Sequence, residues 1–223
     1  MIPLRSTERA YATAAVTATL IAVNTLVFLY QATLNPYSLN LFVEQWGIVP
    51  DSRPFHLASL FTSMFLHGGW MHLIGNMLFL WVFGRNVEDL IGRGRFLLFY
   101  VLCGLAAAVM HVIVNPYSRV PTIGASGAIA GVMGAYLIKF PRARIVTLIP
   151  IFVFITTMEI PAAFLLLYWF AIQFLSGIGS LAETDYTGGG VAWFAHVGGF
   201  IAGMLLIRLF PARRRGWAWH ADE

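Results

Sequence analysis

Four polar side chains stand in an otherwise apolar sequence at spacings that chemistry can use. They are Ser126 in PTIGASGAIAG (residues 121–131), His196 in AHVGGFIAG (195–203), and His72 with Asn76 in HGGWMHLIGNM (67–77). A serine hydroxyl is a weak nucleophile until a general base lies within hydrogen-bond reach, about 2.6–3.2 Å. His196 is the candidate base. At the first turn of a helix, Ser126 would also have unpaired backbone N–H groups and the positive end of the helix dipole beside it, which favour developing negative charge. His72 and Asn76 fall four apart, hence on one helix face. An uncharged imidazole and a primary amide both supply donors for an oxyanion where water is partly excluded. The implied chemistry is attack by a hydroxyl on an acyl carbon.

Each residue also has a plainer reading. Serine is a preferred helix N-cap, a histidine in a span can be a packed, hydrogen-bonded residue, and Asn76 can bridge helices. What separate structural roles do not cover is the coincidence of all four at one depth. No Asp or Glu falls within the spans to orient His196, so a hydrolase built here would work with a dyad. The α/β-hydrolase elbow Gly-x-Ser-x-Gly is not matched, because Ala128 stands at its last position.

The elements that must position these groups follow from composition. Of 223 residues 59% are hydrophobic and 11% charged, against about 45–50% and roughly 25% in soluble domains. A membrane crossing by a helix takes about 20 largely apolar residues. Six spans are expected, at roughly 11–34, 68–87, 96–114, 124–139, 160–180 and 191–208, in a single membrane-embedded domain of residues 1–223. The fold class is all-α, a polytopic six-helix bundle. The first apolar stretch lacks a convincing cleavage site and reads as a retained helix. The lone Cys103 excludes an intrachain disulfide. The net charge of +4 does not point to nucleic acid, since the basic residues form no stripe.

Topology explains them better. Sorted over six spans, 12 of the 14 basic residues fall on one side and only Arg53 and Arg119 on the other, which puts both termini in the cytoplasm by the positive-inside rule. The run Ile145–Met158 is short for a crossing, and counting it as one would send Arg213–Arg215 outside. It is therefore expected as an inner-face segment in or against the membrane, with Pro161 in the first turn of the next helix. The second, fourth and sixth spans then all run from outside to inside, and His72, Asn76, Ser126 and His196 share one level near their outer ends.

Close helix approach needs small residues at i, i+4 spacing. Gly127 and Gly131, with Gly134 beyond, supply it in the fourth span, and Gly199 and Gly203 in the sixth. The outer connection Asn35–Trp70, with Phe42, Trp46 and Phe55, reads as half submerged at the interface. Gly188–Gly190, in the connection 182–191, could flex as a lid.

On these residues the chain resembles the rhomboid family of intramembrane serine proteases. Gly124-Ala125-Ser126-Gly127 matches the family's Gly-x-Ser-Gly. Ala195-His196 with Gly199 and Gly203 matches Ala-His-x-x-Gly-x-x-x-Gly, and His72-x-x-x-Asn76, preceded by His67, matches the second-span signature. The resemblance covers roughly Ser59 to Arg208. It implies that Ser126 attacks a peptide carbonyl in a substrate's transmembrane segment, with His196 as base and then acid. It further implies that His72, Asn76 and the Ser126 N–H hold the oxyanion, that Gly124, Gly127, Gly131, Gly199 and Gly203 pack helices near the site, and that the fifth span is a lateral gate. His67 is expected to be structural. Two departures stand out: Ala58 and Ser59 replace a Trp-Arg pair in the first outer loop, and Ala130 replaces a tyrosine that packs on the catalytic histidine. Something else must hold the ring of His196.

The expected partners are membrane proteins with a transmembrane helix and the lipid bilayer, with no nucleic acid, no cofactor and no metal. With no organellar targeting extension before the first span, the expected location is a bacterial inner membrane. Two other classes are weighed against this: an inert rhomboid-like protein that binds transmembrane helices, which would lack the Ser–His pair, and a transporter or metal channel built on His67, His72, His111 and His196.

Overall fold

In chain order the elements are β1 (Ile2–Ser6), α1 (Ala15–Thr33), α2 (Pro36–Trp46), α3 (Ser59–Thr62), α4 (Trp70–Phe79), a π-helical turn (Leu80–Gly84), α5 (Arg85–Ile91), α6 (Arg93–Val114), α7 (Ser126–Lys139), β2 (Arg144–Ile151), β3 (Phe154–Pro161), α8 (Ala162–Leu181) and α9 (Trp193–Leu206). The computed structural model describes residues 1–151, 154–181 and 192–213. Among these, Ala15–Thr33, Arg93–Val114 and Ala162–Ser180 are each long and apolar enough to cross a membrane alone. Trp70 to Ile91 is one helical run interrupted by the π turn, and at 1.5 Å per residue it is about 33 Å long.

Helix α7 is shorter, about 21 Å by the same rise, and its composition explains where it sits. Every residue from Gly127 to Leu137 is buried. A helix apolar on all sides belongs inside protein, and α7 lies between α6 and α9. The glycines set the distance on both flanks. A Cβ on Gly199 would run into the carbonyl oxygen of Gly127, one on Gly203 into that of Gly131, and one on Gly134 into that of Phe200. On the other flank, a Cβ on Gly127 would come within 2.6 Å of Ala107 Cβ, and one on Gly131 would overlap Cys103.

The start of α1 is satisfied by side chains of another element, and that of α2 by the residue before it. Helix α1 has no side-chain cap of its own. Instead the buried Glu88 carboxylate of α5 accepts from Val16 N (2.9 Å), Thr17 N (2.7 Å) and Thr17 Oγ1 (2.8 Å), an anion where the helix dipole favours one. Asp89 accepts from Tyr11 N and Ala12 N, so the first helix starts at Ala15 rather than at Tyr11. Asn35 caps α2 by accepting from Ser38 N at 2.9 Å, with Pro36 in the first turn.

The segment 145–158, expected at the inner face, contributes strands. Its described residues lie in two antiparallel strands, with Arg144 paired to Pro161 and Ile151 to Phe154, and β1 adds antiparallel on the other side of β2 to give the order β1-β2-β3. The run is rich in Ile, Val and Thr, which favour a pleated surface. Along β2, Ile145 and Thr147 are buried while Val146 and Leu148 are only half-buried, the alternation of a half-buried strand. Ser6 Oγ meets Tyr136 Oη at 2.6 Å and ties the sheet to the basic end of α7. Pro161 ends β3, one residue before α8 begins. The helical bundle thus carries a small sheet that an all-α reading does not include.

The glycine contacts predict unequal costs. Gly203→Val must push α9 off α7 and should destabilise the protein by about 1–3 kcal/mol or more. Gly179→Ala, with nothing within 4 Å of the new Cβ, should be neutral or slightly stabilising. Thermal unfolding of the two variants in detergent measures the difference.

Candidate active site

Ser126 is the first residue of α7 and His196 lies in the first turn of α9, so the glycine-set approach of these helices brings their starting turns together. Ser126 Oγ and His196 Nε2 are 2.7 Å apart. The other ring nitrogen, His196 Nδ1, is 2.6 Å from Gln173 Oε1 on α8. With the amide oxygen, which can only accept, turned toward it, Nδ1 would be the protonated ring nitrogen. The Nε2 lone pair is then free to accept from the Ser126 hydroxyl. One face of the imidazole is covered by Trp169, with centroids 5.7 Å apart and planes at 38°, and Trp169 in turn packs on Phe200. Trp169 and Gln173 are one helical turn apart on α8. They occupy the role left open by Ala130, which is fully buried inside α7.

His72 and Asn76 stand on α4 facing the same cavity, ≈ 880 Å³ in volume, which Ser126, His196, Trp169 and Gln173 also line. His72 Nδ1 accepts from Gly68 N at 3.3 Å, which leaves Nε2–H as the donor. That nitrogen would lie 2.8 Å from a Cβ on Gly124, which itself would be 3.5 Å from Ser126 Oγ. Asn76 Nδ2 lies 3.0 Å from His67 Nε2; with the amide donating, the ring proton sits on Nδ1, a buried atom without a partner, and the amide keeps a second N–H. His67 is clamped through its backbone: Gln31 Oε1 accepts from His67 N (3.0 Å) and Gln31 Nε2 donates to His67 O (3.2 Å).

Gly124 stands apart from the helix-packing glycines. It lies in the loop before α7 with φ +129°, and its N–H donates to Ser63 O at 2.9 Å. The region is one that residues with a Cβ rarely adopt. Of the four histidines weighed as a channel, His111 meets Thr122 Oγ1 at 2.8 Å, while the other three have the partners already given. Among the described residues no group of three His, Cys, Asp or Glu is placed to hold a metal ion. The connection 182–191 with its glycines lies outside the described residues.

Sequence reasoning missed Gln173, Trp169 and Gln31. The first had a signal: it is the only amide in the uncharged run Ala162–Leu181, and a polar side chain on such a helix implies a partner.

A comparison with protein families decides the fold's affiliation: the rhomboid domain matches residues 54–213. The chain belongs to the rhomboid family. It is therefore a polytopic helical membrane protein. It is similar to RHOMBOID-like protein 1 of Arabidopsis thaliana, 32% identical over 186 residues that make up 81% of this chain and 41% of the relative. It is also similar to the mitochondrial Rhomboid protein 1 of Saccharomyces cerevisiae, 31% identical over 169 residues, 74% of this chain and 45% of the relative. The rhomboid protease GluP of Bacillus subtilis is 45% identical over 78 residues, 35% of this chain and 15% of that protein. The chain thus spans less than half the length of these relatives.

The loop geometry around Gly124 carries a test. Gly124→Ala introduces a Cβ at an unfavourable φ and against His72 Nε2. It should lower the rate at which a fluorophosphonate labels Ser126 while costing less thermal stability than Gly203→Val.

Proposed function

We propose that this rhomboid is an intramembrane serine endopeptidase that cleaves transmembrane segments of membrane proteins near the extracytoplasmic face with a Ser126–His196 dyad. The observation that carries the reading is the 2.7 Å approach of Ser126 Oγ to an imidazole nitrogen whose partner nitrogen is already hydrogen-bonded. A hydroxyl and an imidazole so placed form a nucleophile and its base.

In the first step His196 Nε2 takes the hydroxyl proton as Ser126 Oγ bonds to the carbonyl carbon of the substrate peptide. The electron pair of the carbonyl moves onto its oxygen. His72 Nε2–H, the second Nδ2–H of Asn76 and the N–H of Ser126, unpaired at the start of α7, are the donors for that oxyanion. His67 and Gln31 set Asn76 in place. His196 then returns its proton to the leaving amine as the C–N bond breaks, which leaves an acyl ester on Ser126. Water, deprotonated by the same Nε2, attacks the ester, and the serine recovers its proton. The substrate helix must be unwound at the cleaved bond, because helical hydrogen bonds occupy its carbonyls. Helix-breaking residues near the outer end of the substrate span are therefore favoured.

The reading includes a bacterial inner membrane as the location and a topology with both termini in the cytoplasm, the latter because 12 of 14 basic residues sort to one side. The dyad then sits close to the extracytoplasmic water that hydrolysis needs.

Reconstitution with a generic single-span substrate tests the proposal. Ser126→Ala and His196→Ala should each abolish cleavage, and Ser126→Ala should abolish fluorophosphonate labelling. His72→Ala or Asn76→Ala should leave a remnant, about 10²–10³ below the parent rate. Undiminished cleavage by Ser126→Ala would refute the dyad.

A further inference from the structure

We propose that Gln173 is a positioning residue for His196: its Oε1 holds the Nδ1 proton, fixes the imidazole in one tautomer and leaves the Nε2 lone pair aimed at Ser126. The inference deepens the protease reading and rests on it. Both side chains are buried, at 7% and 8% exposure, and the contact is short at 2.6 Å. A neutral imidazole carries one proton on its two ring nitrogens, and the partner of one nitrogen decides the state of the other. With Nδ1–H held by Gln173, Nε2 must be the basic atom.

No other group on the described residues takes this place. The acidic residues Glu88 and Asp89 are engaged at the opposite end of the bundle, on the start of α1 and the turn before it. An amide in an uncharged helix is costly unless paired. The outer face of α8 presents large apolar side chains, Phe164, Leu167, Ile172 and Leu175 among them, while Gln173 turns inward to His196. Trp169, one turn earlier, restrains the tilt of the ring and Gln173 its rotation. As His196 takes the serine proton, its positive charge strengthens the Nδ1–H···O bond. The interaction is therefore stronger after proton transfer than before it, which is the requirement for a contribution to rate. An amide also avoids placing a second full charge in the bundle, where desolvation is expensive.

One competing arrangement has opposite consequences. If the amide were turned to donate its Nε2–H to Nδ1, the ring proton would sit on Nε2 and His196 could not accept from Ser126. Nitrogen-15 spectra of histidine-labelled protein in detergent separate the two, with His196→Ala assigning the resonance. The parent should show Nδ1 protonated and Nε2 bare. Gln173→Met, similar in volume but without an oxygen acceptor, should lose that signature and lower kcat about 10- to 100-fold, with KM unchanged. Gln173→Glu keeps an acceptor at the same position and should restore both the tautomer and most of kcat. A parent spectrum with Nε2 protonated, or a Gln173→Met protein with unchanged tautomer and kcat, overturns the proposal. Should Gln173→Met not fold, the parent and Gln173→Glu spectra decide. The spectra need no turnover, so failure of the protease reading, seen as cleavage that survives Ser126→Ala, is distinguishable from failure of this one.

Discussion

The contact of α7 with α9 through bare backbone is the constraint on which the site depends. Gly199 and Gly203 lie against the carbonyls of Gly127 and Gly131, and α6 presses on the other flank through Ala107 and Cys103. A helix that loses its Cβ atoms along one stripe gives up intrinsic helix preference. In lipid, where hydrophobic burial does not drive helices together, that loss is offset by dispersion over the closely matched surfaces. Ser126 and His196 each lie within one turn of the uppermost of these contacts, so the glycine spacing sets the distance between hydroxyl and imidazole. One added methyl group would lengthen a contact that needs to stay below about 3.2 Å.

Around this packed centre, polar side chains are joined in short chains that cross from one helix to another. Gln31 on α1 holds the backbone of His67, and His67 holds Asn76 on α4. Gln173 on α8 holds His196 on α9, and His196 meets Ser126 on α7. At the basic end Glu88 holds the start of α1. In a medium without water each bond is stronger than it would be at a soluble surface, and an unmatched group is correspondingly expensive. The pairing that satisfies these groups also fixes their rotamers, while His67 Nδ1 stays buried without a partner.

Periodicity and small-residue spacing made much of this legible. The i, i+4 glycines of the fourth and sixth spans and the His72–Asn76 pair are local patterns, visible in a window of a few residues. Gln173 is not local: its partner lies 23 positions away on another helix, and a single amide has no spacing to read. The pairing of β2 with β3 escaped for a different reason. Fourteen uncharged residues with abundant Ile, Val and Thr have no length or period that separates a strand pair from an interfacial segment, and the deciding partner, β1, comes from the far end of the chain. Glu88, at a span end, reads as a marker of topology, and only its three hydrogen bonds to α1 disclose a cap.

Ala130 links these observations. A large aromatic at that position would have to share the core of α7 with Gly127, Gly131 and Gly134, the residues that let α6 and α9 close in. With alanine there, α7 stays narrow and buried from Gly127 to Leu137, and Trp169 and Gln173 of α8 lie on the imidazole, one against the ring and one at its far nitrogen. Helix α8 has much of its surface outside the bundle and is anchored by fewer close backbone contacts than α7. The orientation of His196 is thus set by α9 for position and by α8 for angle. A displacement of α8 by even one ångström would stretch the 2.6 Å bond before it disturbed the glycine-packed helices, so the imidazole is the group in the site most sensitive to where α8 sits.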